Sequence, residues 1–268
     1  MSKLSKMLMK PLALMTGNLL MQRALRKVVK ESHYLMGIGT GNDVSSSGEH
    51  AILSRLKENS PAPYTIFDVG ANAGQFFSLV RRCLSSSEYT IHCFEPGKTT
   101  FETLKANVKP EAGIILNNFG LGKTKGHFSL YYDNPGSGLA SLTQRRLDHL
   151  NIDFSPSETV QIETLDDYCD EHGVERIDLL KIDVEGHELD ALTGASRKFE
   201  QNRIGIVTIE FGGCNLDTGT YFRDFFDFFC DQKMTLYRIT PSGYLSPIRK
   251  YDERDEQFVT SNYLAIRM

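Results

Sequence analysis

The chain of 268 residues has no run of apolar residues as long as a membrane-spanning helix requires. It also has no Cys-x-x-Cys pair and no finger-like spacing of cysteine and histidine, which argues against a zinc module. Cys83, Cys93, Cys169, Cys214 and Cys230 are odd in number and scattered. They read as reduced thiols of a cytoplasmic protein rather than as a disulfide framework. Positive charge is not in excess. With 30 basic and 34 acidic residues the net charge is −4, which argues against nucleic acid as the main partner. Internal repeats and low-complexity tracts are absent. Also missing is any Gly-x-Gly-x-x-Gly after a predicted strand, which counts against a dinucleotide site.

The corresponding place holds Thr65-Ile66-Phe67-Asp68-Val69-Gly70-Ala71-Asn72-Ala73-Gly74-Gln75-Phe76. Residues suited to a buried strand run into a glycine-bounded turn and then a helix. This is the layout of a nucleotide-type cofactor site at the tip of the first strand of an α/β sheet. Asp68 would repel a pyrophosphate and welcome a cationic ligand bearing an ammonium group and hydroxyls. S-adenosylmethionine is such a ligand. Gly70 and Gly74 allow close approach of cofactor and backbone, with Ala71 and Asn72 between them. The amides that open the helix can bind the ligand's carboxylate.

Strands are predicted near 64–69, 89–95, 114–118, 177–183, 204–211, 234–240 and 258–267. Helices are predicted at 74–84, 98–108, after 183 and at 219–232. This alternation implies a mostly parallel sheet covered on both faces. The last two strands lack a helix between them and are expected to form an antiparallel edge pair. Residues 126–163 break the rhythm and read as inserted strands and a loop. Ser47 is placed to cap a short helix, with Glu49 in its first turn. Residues 36–48, rich in glycine and serine, read as a flexible connector. The expected division is 1–46, an N-terminal helical extension and connector, and 47–268, the cofactor-binding domain.

Ligands of such sheets lie beyond the carboxyl ends of the strands. The second strand ends in Glu95-Pro96, an acid able to accept from both ribose hydroxyls. The third ends near Asn118 and Phe119, candidates to edge an adenine ring. The fourth ends in Asp183-Val184-Glu185-Gly186-His187-Glu188, with two carboxylates and an imidazole just past a buried run. The fifth supplies Glu210. Adenine amino-methylating enzymes carry an Asn/Asp-Pro-Pro-aromatic run after the fourth strand; here Asp183 to Gly186 contains no proline.

Phe67 to Gly74, Phe94-Glu95-Pro96 and above all Leu180 to Glu188 resemble the FkbM family of S-adenosylmethionine-dependent methyltransferases. Thr164-Leu165-Asp166, Leu192 to Ala195 and Ile209-Glu210 add to the likeness, which spans roughly 47–210. The resemblance implies a class I, Rossmann-like fold with a seven-stranded sheet and a reversed last hairpin. It further implies S-adenosylmethionine as methyl donor and a hydroxyl acceptor on a polyketide, a glycan or a glycolipid.

Methyl transfer to oxygen needs an in-line acceptor and a base for its proton. The candidates for that base are Asp183, Glu185, His187 and Glu210. Asp183, Glu185 and Glu210 could instead hold Mg²⁺, but nothing in the spacing demands a metal and none is assigned. Tyr131, Tyr132, Asn134 and the loop 136–142 are candidates to cover the acceptor. The phenylalanine-rich helix reads as core. Met1 to Lys30 carries Lys3, Lys6, Lys10, Arg23, Arg26, Lys27 and Lys30 and no acid. It reads first as helices packed on the domain and second as a weak membrane-surface contact, which would make a cytoplasmic protein peripheral at the membrane. The competing functions are a nicotinamide-dependent oxidoreductase on a similar sheet and a non-catalytic S-adenosylmethionine-binding module.

Overall fold

A computed structural model describes residues 13–41, 47–109 and 111–267. Strands β1 (Tyr64–Val69), β2 (Tyr89–Phe94) and β3 (Ile114–Asn117) alternate with helices α3 (Gln75–Cys83) and α4 (Lys98–Asn107). Helix α2 (His50–Asn59) precedes them, and α1 (Leu19–Leu35) precedes α2. After β3 come β4 (Gly120–Leu121), β5 (Gly126–Tyr131) and β6 (Ser157–Glu163), then α5 (Leu165–His172) and β7 (Ile177–Ile182). Short α6 (Glu188–Thr193) and α7 (Ser196–Glu200) lead to β8 (Ile204–Phe211). The chain continues through α8 (Cys214–Thr218), α9 (Phe222–Asp231), β9 (Met234–Ile239), β10 (Leu245–Ile248) and β11 (Ser261–Arg267).

The main sheet runs β10-β9-β11-β8-β7-β1-β2-β3. β3, β2, β1, β7 and β8 pair in parallel, and β11 runs antiparallel to both β8 and β9. The expected seven-stranded framework is present, and β10 extends it to eight strands. β11 lies between β8 and β9 and is interior rather than at an edge. The edge on this side is β10, whose Pro247 is tolerable where no ladder partner is needed on one side.

Strand residues alternate between two cores. Ile66, Ile91, Leu179, Ile206 and Leu264 face α2, α3 and α4. Phe67, Phe94, Leu180, Val207 and Tyr263 face α5, α6, α7 and α9. β7 is buried at every position, as a central parallel strand covered on both faces must be. Phe222, Phe225 and Phe229 of α9 fall on one helix face and are fully buried, so this helix is core.

The inserted segment does not join the main sheet. β4, β6 and β5 form a separate three-stranded sheet with a small core of Leu130, Val160 and Ile162. It stands over the carboxyl end of the main sheet.

Three expectations near the N-terminus are corrected. Ser47 does not cap α2: Glu49 holds the N-cap position, and the Ser47 hydroxyl donates to Glu49 Oε2 at 2.7 Å. The connector is not free over 36–41. Arg238 Nε donates to the Met36 carbonyl (2.9 Å), Gly41 N to Thr260 O (3.0 Å), and Ile38 is buried. A Cβ on Gly37 would lie 2.0 Å from the Ile239 carbonyl oxygen. Nor is α1 packed on the domain, since none of its residues is buried. Residues 1–12 and 42–46, with the bases Lys3, Lys6 and Lys10, lie outside the described residues. Among those described, no helix is long and apolar enough to cross a membrane.

Candidate active site

β1, β2, β7 and β8 all end at one side of the sheet, and a cavity of about 430 Å³ opens there. That volume is within the range of small-ligand sites. Its floor is the turn after β1. Gly70 has φ +80°, and a Cβ there would lie 1.8 Å from the Asp183 carbonyl oxygen. Glycine is thus required for the β1 and β7 loops to touch. Asn72 also adopts the left-handed region, at φ 47°. The turn satisfies its own amides: Gly70 N and Ala71 N donate to Phe94 O, Asn72 N to Glu95 Oε2 and Gly74 N to Ala71 O. These amides are therefore not available to a ligand carboxylate. Gly74 starts α3 with φ +90°, and a Cβ there would press on Leu104 and Val108. Its glycine serves the contact between α3 and α4.

Glu95 lines the cavity and is buried. Its Oε1 accepts from Gly97 N at 2.9 Å and its Oε2 from Asn72 N at 3.0 Å. Each carboxylate oxygen retains a lone pair for a further donor. Burial pushes its pKa up to about 7 against the pull of the two amides.

Asp68 does not line the cavity. It is fully buried beneath the floor, and neither oxygen has a hydrogen-bond partner among the described residues. Its nearest cation is Lys181 Nζ at 3.8 Å from Oδ1. Burial pushes Asp68 up to about 6, with Lys181 opposing. Lys181 also donates to Asp183 Oδ2 at 3.0 Å and lies over the Phe76 ring. Burial lowers the pKa of this ammonium, but Asp183, Asp68 and Glu49 outweigh burial and raise it.

Asp183, Glu185, His187 and Glu210 come together on the far wall. One oxygen from each of Asp183, Glu185 and Glu210 lies within 4.8 Å of the others. Glu185, in the left-handed region at φ 52°, accepts from Arg145 Nη1 at 2.7 Å. Burial and then Asp183 raise its pKa to about 8, with Arg145 opposing. Burial, Asp183 and Glu185 push Glu210 well above the carboxylate range. His187 places Nδ1 2.8 Å from Asp190 Oδ2 and Nε2 2.9 Å from Thr143 Oγ1. Glu188 is fully buried instead of starting a solvated helix. Its Oε1 accepts from Val184 N and Gly186 N, which fixes the loop that carries Glu185.

Asn118 and Phe119 are absent from the wall. The Asn118 amide donates to Glu95 O at 2.9 Å, and Phe119 packs against Phe94 and Tyr168. Pro96, Leu121, Leu130 and Ile162 supply the apolar wall instead. The loop 137–142 closes the cavity, whereas Tyr131, Tyr132 and Asn134 do not line it. Two buried charged residues of the cavity escape sequence reasoning, Glu49 and Lys181. Lys181 had a signal: a lysine inside an apolar strand, on the same face as Asp183. Glu49 had none, because the approach of 47–49 to the cavity is purely tertiary.

The strand order, with β11 reversed between β8 and β9, and the turn at the end of β1 define a class I methyltransferase fold. The family model for the methyltransferase FkbM domain matches residues 68–236. The chain belongs to the FkbM methyltransferase family. It is 26% identical over 166 residues to the hexuronic acid methyltransferase AglP of Haloferax volcanii, covering 62% of this chain and 64% of that protein. It is 28% identical over 163 residues to the 2-O-methyltransferase NoeI of Sinorhizobium fredii, covering 57% and 64%. The chain thus spans under two thirds of these relatives' length. The structure of methyltransferase FkbM from Methylobacillus flagellatus KT is similar over 91% of this chain and 60% of its own, at 14% identity and a TM-score of 0.45.

Proposed function

We propose that this protein transfers a methyl group from S-adenosylmethionine to a hydroxyl of a sugar acceptor. The observation that carries the reading is the division of the cavity into two chemically different ends. Glu95 and the apolar wall of Pro96, Leu121, Leu130 and Ile162 suit a ribose and an adenine. Asp183, Glu185 and Glu210 suit a cation at the other end, because like charges this close are relieved by one. The name of one relative, a hexuronic acid methyltransferase, favours a sugar over a polyketide, and that of the other, a 2-O-methyltransferase, favours oxygen as the acceptor atom.

The bound donor supplies the electrophilic methyl group. The chain's own residues then have three tasks. Glu95 holds the ribose hydroxyls with its spare lone pairs. The loop 137–142 keeps water out and packs on the acceptor. His187 takes the hydroxyl proton at Nε2, with Asp190 holding Nδ1 and the ring's orientation. The Thr143 hydroxyl at Nε2 occupies the place an acceptor hydroxyl would take.

A Mg²⁺ ion among Asp183, Glu185 and Glu210 is the second reading, favoured by the closeness of their oxygens. Against a divalent ion, Lys181 already pairs with Asp183 and Arg145 with Glu185, which leaves charge for a single positive group such as a sulfonium. Exhaustive chelation is expected to leave turnover unchanged; loss restored by Mg²⁺ alone would establish the metal. Calorimetry with S-adenosylmethionine, its demethylated product and NAD tests the main reading. Binding of NAD and of neither sulfur ligand would overturn it. Glycans extracted from cells with and without the protein should differ by a methyl group on a sugar hydroxyl.

A further inference from the structure

Among the described residues, helix α1 has no partner in the fold. Asn18 caps it by accepting from Met21 N at 2.9 Å, so its start is well formed. Yet none of its 17 residues is buried. A helix of this length is marginal in water unless an apolar face is covered. Met21, Leu25, Val28 and Leu35 recur at helical spacing with Val29 beside them, and the last four are exposed. Arg23, Arg26, Lys27 and Lys30 fall on the opposite side, with Glu31 the helix's one acid. The first 30 residues hold seven bases and no acid in a chain whose net charge is −4. Charge is therefore segregated: a basic amphipathic helix is joined to an acidic body.

We propose that α1 is a membrane-surface anchor that lies in the interface of an anionic bilayer. The apolar stripe enters the acyl boundary, and the bases stay at the level of the lipid phosphates. Each base near such a surface contributes about 1 kcal/mol, enough in combination for reversible attachment. A second copy of the helix is the other occupant a stripe of this kind can take. Charge decides against it, because a pair would leave both basic faces without counter-charge.

The tether gives the anchor a purpose. Met36, Gly39 and Gly41 are bonded to Arg238, Ser261 and Thr260, and Gly41 lines the cavity beside Glu210. Six residues beyond the end of α1 span at most roughly 20 Å. A seated helix therefore holds the cavity at the bilayer surface. Resting on the sugar-methylation reading, the acceptor is then a sugar carried on a membrane lipid.

The test sediments the full chain with vesicles of phosphatidylcholine alone and with about one third phosphatidylglycerol added. We expect at least roughly tenfold more protein on the anionic vesicles, declining as salt rises. The double variant Leu25→Glu, Val28→Glu should lose that binding and keep its affinity for S-adenosylmethionine by calorimetry. Both side chains are exposed, so folding is not at risk. Equal partition between the two vesicle types, retained binding by the variant, or a dimer in solution that the variant dissolves would each overturn the anchor. Failure of the wild type to bind S-adenosylmethionine would strike the methyltransferase reading instead and leave the lipid result standing.

Discussion

Glu95 shows how one residue serves both fold and site. Its two oxygens tie the turn after β1 to the start of α4, and the residue lines the cavity. Glu95→Gln keeps one acceptor oxygen and loses the charge. We expect roughly 10–100-fold weaker binding of S-adenosylmethionine by calorimetry, in line with the loss of charge-assisted hydrogen bonds. His187→Gln should lower kcat/KM by roughly 10²–10⁴, the range of a general base, with donor affinity unchanged. An equal loss in both quantities would make His187 a structural residue. Gly70→Ala should fail differently. Its Cβ has no room against the Asp183 carbonyl, so destabilisation of roughly 3 kcal/mol or more is expected by denaturant melts. At this scale the acids at the strand ends were legible from sequence, because charge after an apolar run is conspicuous. Asn118 and Phe119 were misplaced because a strand's period does not say which way the chain turns once the strand ends.

At the scale of elements, the loop 183–187 depends on α6. Val184 and Gly186 donate to Glu188, and Glu185 and Gly186 adopt left-handed conformations between those bonds. Glu188→Ala leaves two amides without their acceptor and should cost roughly 2–4 kcal/mol of stability together with most of the activity. Glu188→Gln keeps an acceptor oxygen and should retain most of both; thermal melts and turnover compare the pair. The inserted segment, through the loop between β5 and β6, reaches the same loop. Ser141 Oγ donates to Glu185 O, and Arg145 pairs with the Glu185 carboxylate. The insertion itself was visible as a break in the strand–helix rhythm. Its docking over the cavity was not, because these contacts join residues about forty apart in the chain.

For the whole molecule, the site stores a burden of buried carboxyls. Folded-state pKa values near 7 for Glu95 and 8 for Glu185 lie above their unfolded values. Such groups add stability at low pH and lose it as pH rises through the folded pKa. Without ligand, Tm should therefore fall by roughly 3–6 °C between about pH 6.5 and 8.5. S-adenosylmethionine should narrow that fall by bringing positive charge to the acids; a Tm that rises over this window would refute the assignment. Below about pH 6.5 buried His92, whose pKa is lowered to about 4, acts in the opposite sense.

The class of fold, the two-sided sheet and the strand ends that carry acids were all determined by the sequence. Each is written in local periodicity and in charge set against apolar runs. Tertiary structure decided the rest: that Lys181 bridges Asp68 and Asp183, that Glu49 joins the cavity, that β11 enters the sheet between β8 and β9, and that the described residues leave α1 uncovered. Those outcomes depend on which distant segments meet, and burial and charge pairing settle that only when the whole chain has collapsed.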